Sequence, residues 1–134
     1  MELYGEEQLE TLRAAFNYAT SFLPLRRFEE ARSLLRRTMP VARRVLRESH
    51  ELTLKMRCMY AEALYEDDSA TLNDLREAVT TLEDTVRIAR RVLGGAHPLT
   101  GRIELHLREA RAALGASEGD DVESIREGVD ALNT

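Results

Sequence analysis

Cysteine, tryptophan and lysine are almost missing from this sequence, and each shortage excludes something. Cys58 is the single cysteine, so the chain has no internal disulfide framework and must hold its fold by packing. There is no tryptophan, and aromatic residues make up 5% of the chain. That leaves no aromatics interleaved with basic residues as platforms for stacked bases, which argues against DNA or RNA binding. Lys55 is the only lysine, so nearly all positive charge is arginine; the readings are a bias in codon usage and guanidinium recognition of acidic groups. No window approaches about 18 consecutive apolar residues, so no membrane insertion is expected. The opening Met1-Glu2-Leu3-Tyr4-Gly5-Glu6-Glu7 is acidic without an apolar run, unlike a signal or transit peptide, and the default expectation is a cytoplasmic protein.

What is present is a helix-forming composition, 43% hydrophobic and 32% charged over 134 residues, rich in Ala, Leu, Arg and Glu. The length suits a single domain that buries roughly two-thirds of its unfolded surface. A net charge of −5 adds to the case against nucleic acid, whose binders carry a basic excess. The charge is also uneven. From Arg26 to Arg47 there are eight arginines against Glu29 and Glu30, and from Glu62 to Asp84 eight acids against Arg76. Such a division either aligns two copies or steers a charged partner, or it is simply two solvated helix faces.

Apolar spacings of three and four predict six helices, over about 6-22, 26-46, 51-65, 69-93, 98-114 and 121-132. Leu9, Leu12, Phe16, Ala19 and Phe22 or Leu23 line the first; Phe28, Ala31, Leu35, Ala42 and Leu46 line the second, where Pro40 is expected to break or kink the helix. The third carries two apolar stripes, Leu54-Cys58-Ala61-Leu64 and Leu52-Met56-Tyr60-Ala63, and so belongs between neighbours. Asp68 or Ser69 is the expected N-cap of the fourth, with Leu75, Ala78, Leu82, Val86, Ala89 and Leu93 inward and Gly94 as its C-terminal cap. His97 and Pro98 suit the start of the fifth, which turns Leu99, Ile103, Leu107, Ala110 and Leu114 inward. A loop at Gly115 to Gly119 then leads to a short helix with Val122, Ile125, Val129 and Leu132 inward, a lid on the open end of a stack.

The stack is suggested by an internal echo. Ala42-Arg43-Arg44-Val45-Leu46-Arg47-Glu48-Ser49-His50-Glu51-Leu52-Thr53 is repeated without a gap, 47 residues later, by Ala89-Arg90-Arg91-Val92-Leu93-Gly94-Gly95-Ala96-His97-Pro98-Leu99-Thr100. Such a period marks stacked supersecondary units. Val92 to Thr100 resembles the junction of kinesin-light-chain-type tetratricopeptide repeats. Asn17-Tyr18-Ala19 is similar to the Asn-Leu-Ala of that family's first helix, and Arg27-Phe28-Glu29-Glu30-Ala31 to the turn and Glu-Ala opening of its second. Tyr18-Ala19 recurs as Tyr60-Ala61 after 42 residues but Glu30-Ala31 as Glu77-Ala78 after 47, which places a five-residue insertion between the third and fourth helices. Arg47 and Glu51 stand where the family has Gly and Pro. The resemblance implies an all-α fold, a short α-solenoid of about two and a half TPR-like helix pairs with a C-terminal capping helix. It also implies a non-catalytic scaffold in which first helices line a concave groove that holds a protein or peptide.

Aligning those first helices places Asn17, Met59 and His106 in one row, with Arg13, Lys55 and Arg102 in another one turn earlier. These six are the candidate partner-binding residues. The cation row is either a basic track for an acidic peptide or terminal carboxylate or a solvated stripe in an arginine-rich chain. His50 and His97 recur with the repeat, so a capping or junction-packing role is expected for both. No spacing supplies metal ligands around them, Cys58 on its apolar stripe is expected to be inert, and no paired carboxylates or phosphate loop suggest catalysis or a cofactor. Two alternatives stand beside the scaffold: a self-associating module forming homo-oligomers through the Arg26 to Arg47 and Glu62 to Asp84 surfaces or its stack ends, and a ligand-binding helical bundle or small enzyme.

Overall fold

The computed structural model describes residues 2–132, and the side chains of 5–120 and 125–132. Five helices follow in order: α1 (Glu2–Phe22), α2 (Phe28–Leu46), α3 (Glu51–Tyr65), α4 (Leu72–Val92) and α5 (Pro98–Leu132). Each packs on the next, and α3 also meets α1 and α5. The result is two layers, α1, α3 and α5 in one and α2 and α4 in the other, as a short tetratricopeptide-like solenoid requires.

The repeat is visible in what is buried. Phe28, Ala31, Leu35, Met39 and Ala42 of α2 are buried, and so are Leu75, Ala78, Leu82, Val86 and Ala89 of α4, the same positions 47 residues on. Spacings of three and four put each set on one stripe. By contrast α3 buries both of its stripes, including Leu52, Leu54, Met56, Cys58, Tyr60, Ala61, Ala63 and Leu64. It has apolar neighbours on both sides because it stands in the middle of the stack.

His50 and His97 begin equivalent helices in the same way. Nδ1 of His50 accepts from the Leu52 amide and Nδ1 of His97 from the Leu99 amide, both at 3.0 Å, so each imidazole satisfies an amide that the first helical turn leaves without a partner. The helix ends preceding them differ. Gly94 takes φ +90, which costs glycine little. Arg47, its counterpart, is held at φ 77 and ψ 165, a region occupied almost only by glycine and costing other residues about 1–3 kcal/mol. Arg47→Gly is therefore expected to stabilise the fold by about 1 kcal/mol, read as a higher urea midpoint; an unchanged or lower midpoint contradicts the strain.

Several boundaries differ from the sequence-based expectation. The N-cap of α4 is Thr71, whose side chain accepts from the Asp74 amide while the Asp74 carboxylate accepts from the Thr71 amide. That reciprocal box outcompetes the single caps available to Asp68 and Ser69. Asp67 instead binds the amide and hydroxyl of Ser69. The five-residue insertion is spread out: compared with α1 and α2, one residue extends α3, one lengthens the connector and three begin α4. Helix α2 runs through Pro40, because buried Met39 and Ala42 hold both halves to the core and Pro40 itself is exposed.

The largest correction concerns the end of the chain. Where a loop at Gly115 to Gly119 and a separate capping helix were expected, α5 continues unbroken for 35 residues. Local hydrogen bonding outweighs the cost of the two glycines, about 1 kcal/mol each in a helix interior. The expected inward residues Ile125, Val129 and Leu132 are 62%, 50% and 87% exposed, so this segment does not lie over the stack as a lid. Val122 lies outside the described side chains.

The basic and acidic segments meet within the molecule. Arg26 pairs with Asp68 at 2.9 Å, and Arg32 reaches Asp67 at 3.1 Å and the Ala63 carbonyl at 2.8 Å. Arg36 donates to the Tyr60 hydroxyl at 3.2 Å, which donates to Glu77 at 2.6 Å. These contacts tie α2, α3 and α4 together and commit much of the charge invoked for self-association through those surfaces.

Candidate functional site: the cleft of α1, α3 and α5

The layer made by α1, α3 and α5 forms a narrow cleft lined by Phe16 of α1, Lys55, Cys58, Met59 and Glu62 of α3, and Leu99, Arg102 and His106 of α5. Four of the six candidate residues, Lys55, Met59, Arg102 and His106, are thus brought together. Arg13 and Asn17 are exposed on α1 outside the lining, and Arg13 faces Glu10 at 4.0 Å. Phe16 takes their place, because the face that α1 turns to α3 is its apolar stripe. The cleft has a volume of about 30 Å³, against about 300–1,000 Å³ for metabolite pockets. It is a seam that an external segment can lie along, too small to enclose a ligand.

Its electrostatics are divided along the helix axes. Lys55 is near Glu51 at 3.7 Å, and Arg102 is exposed and makes no ion pair among the described residues. One turn beyond Met59 and His106 the same register reaches Glu62 and Glu109. His106 Nε2 lies 3.3 Å from Glu62 Oε1, and its Nδ1 lies 2.5 Å from the Tyr65 hydroxyl, which donates to Glu109 Oε2 at 2.6 Å. The hydroxyl has one proton and gives it to Glu109, so it accepts from His106 Nδ1–H. A neutral imidazole then turns the Nε2 lone pair towards Glu62, so an ionised carboxylate finds no donor there.

Burial agrees with that proton inventory. Desolvation, reinforced by the Glu66 and Glu109 charges and opposed by Arg102, pushes the Glu62 carboxyl up to about 7. Desolvation pulls His106 below its ordinary value, with Glu109 opposing and Arg102 adding to it. Glu66 is raised by burial and by Glu109, and Tyr65 by burial and by its bond to Glu109. Cys58, buried beside them, is pushed up to about 12 by desolvation, so its thiol stays protonated and unreactive. Among the described residues no group of three His, Cys, Asp or Glu side chains is placed to hold a metal ion.

The cluster lies one turn beyond the rows that the repeat aligns. Lys55, Met59 and Glu62 follow one another at four and three, as do Arg102, His106 and Glu109, and extending the row would have found both acids. Tyr65 gave no such signal, because its role depends on the approach of α5 to the end of α3.

The junction that fixes this register is also where a known family is found. Residues 69–99 match the tetratricopeptide repeat. The match runs from the acidic connector through α4 and the Gly94 turn to Leu99 in the first turn of α5, and it supports a repeat protein of the tetratricopeptide type. Repeats of this type mediate protein–protein interaction. Searches of curated proteins and of solved structures gave no match. Among the described residues no helix is long and apolar enough to cross a membrane.

Proposed function

We propose that this tetratricopeptide-type protein is a non-catalytic interaction module, and that it holds a segment of another protein along the seam of α1, α3 and α5. The observation that carries the reading is the shared lining of that seam by three alternate helices, with Lys55, Met59, Arg102 and His106 side by side. Arg102 offers an uncommitted guanidinium to a partner carboxylate, a charge-assisted contact worth about 1.5–3 kcal/mol when desolvated. Lys55 adds a second charge, and Phe16 and Met59 offer apolar surface between helices, where an anchoring side chain fits. The partner segment is therefore expected to be acidic. A protonated Glu62 lowers the repulsion such a segment meets near neutral pH.

Titration with acidic and neutral peptides of equal length tests this. The acidic peptide is expected to bind more tightly, and Arg102→Glu to weaken it at least tenfold, which is about 1.4 kcal/mol, with unchanged thermal stability. Equal binding of the two peptides, indifferent to Arg102→Glu and Lys55→Glu, overturns the proposal.

A further inference from the structure

A second and larger cleft opens between α4 and α5, away from the seam. It measures about 650 Å³ and is lined by Val86 and Leu107 at its floor and by Arg87, Arg90, Arg91 and Arg111, with Glu83. Three of these charges are engaged, Arg87 with Asp84 at 3.3 Å, Arg90 with Glu104 at 3.2 Å and Arg111 with Glu83 at 3.0 Å. Even so the cleft holds four guanidiniums against one lining carboxylate. Arg91 is exposed and has no ion pair among the described residues.

The same molecule carries a segment of complementary character. Between Glu118 and Asp130 the sequence has six acids against Arg126, and Ile125, Val129 and Leu132 stand exposed at helical spacings of four and three. An apolar stripe flanked by acids matches an apolar floor flanked by arginines. Because α5 is continuous, residues 120–132 extend roughly 20 Å, at 1.5 Å per residue, away from the cleft of their own chain. Reaching it would require breaking the helix at Gly115 to Gly119, whereas another molecule's segment reaches it without any change to α5.

We infer that the acidic C-terminal half of α5 from a second copy of this chain occupies the arginine-lined α4–α5 cleft, the two copies doing so reciprocally in a two-fold dimer. The exchange is isologous, each copy giving a helix and receiving one, so the assembly closes at two. Opposite charges set the docking direction, and the apolar stripe supplies the buried contact. The interface leaves the seam of α1, α3 and α5 free.

Sedimentation equilibrium of the full chain in 50 mM and 500 mM salt tests the inference. The expected result is a dimer whose dissociation constant rises at least tenfold at the higher salt and at least tenfold in Arg91→Glu/Arg111→Glu. Val129→Asp is expected to do the same with unchanged helical circular dichroism, since half of that side chain already faces solvent. A protein monomeric at every concentration overturns the inference, as it would if residues 120–132 folded back on their own chain. So does a dimer that survives both variants, which would use another surface.

Discussion

Glu62→Gln is expected to stabilise the protein at pH 8 and to leave it unchanged at pH 4. A carboxyl whose folded pKa is raised gives stability that is fully present below its unfolded value and is lost as the pH climbs through the folded one. For Glu62 that window runs from 4.5 to about 7. The interval corresponds to about 3 kcal/mol for a fully shielded group, and to about 1–2 kcal/mol here, because a fifth of the side chain faces solvent. Glutamine keeps the shape of the side chain and cannot ionise, so the alkaline loss disappears. His106 governs the opposite limb: its folded pKa is lowered, so stability falls as pH drops below its ordinary value and the imidazole must charge inside the cluster. The two limbs overlap between 4.5 and 6.5, and Glu62→Gln is expected to retain only the acid limb. Urea midpoints measured from pH 4 to 8 decide it. An alkaline limb of equal size in both proteins would place the proton elsewhere.

The fold was legible where its periodicity was local. Leu35 and Leu82, or Ala42 and Ala89, are buried at the same register because each helix shows the solvent a polar face, and a stripe of this kind can be read without knowing what it packs against. His50 and His97 were legible as caps for a similar reason, since an N-cap concerns amides two residues away. Arg47 shows the same logic in reverse: the echo indicated that a glycine was missing, and the backbone shows the resulting strain at φ 77. The seam was half legible. The repeat aligned Lys55 with Arg102 and Met59 with His106, but Arg13 and Asn17 fell outside, because the rotation of α1 about its axis is decided by where Phe16 and Leu12 find apolar neighbours.

What could not be read depended on competition between nearly equal local choices or on contacts distant in sequence. Thr71 displaced Asp68 and Ser69 as a cap because Asp74 returns a second hydrogen bond. The continuation of α5 through Gly115 and Gly119 reflects a balance between helix propagation and glycine's cost, with Ile125 and Val129 largely exposed. The Tyr65–His106–Glu109 chain joins side chains 41 and 44 residues apart, and no spacing on one helix announces it.

Leu54→Ala is expected to be the most damaging of these substitutions, costing about 3 kcal/mol within the 2–5 kcal/mol range of buried leucine truncations. Leu54 has no exposed surface and belongs to the main core cluster, on the helix that packs against all four others. A void there has neighbours on both sides and no solvent to fill it, so the surrounding atoms lose contacts they cannot recover by a small shift. Leu25→Ala, at a side chain 64% exposed in the α1–α2 connection, is expected to stay within about 0.5 kcal/mol. The pair also separates structure from recognition. Lys55, Met59 and Glu62 are carried on α3, so loosening this helix should weaken peptide binding together with the urea midpoint, whereas Arg102→Glu should weaken binding with the midpoint unmoved. If Leu54→Ala left the unfolding free energy within about 1 kcal/mol of wild type, α3 would not be the central packing element, and the register that aligns the seam would lose its physical basis.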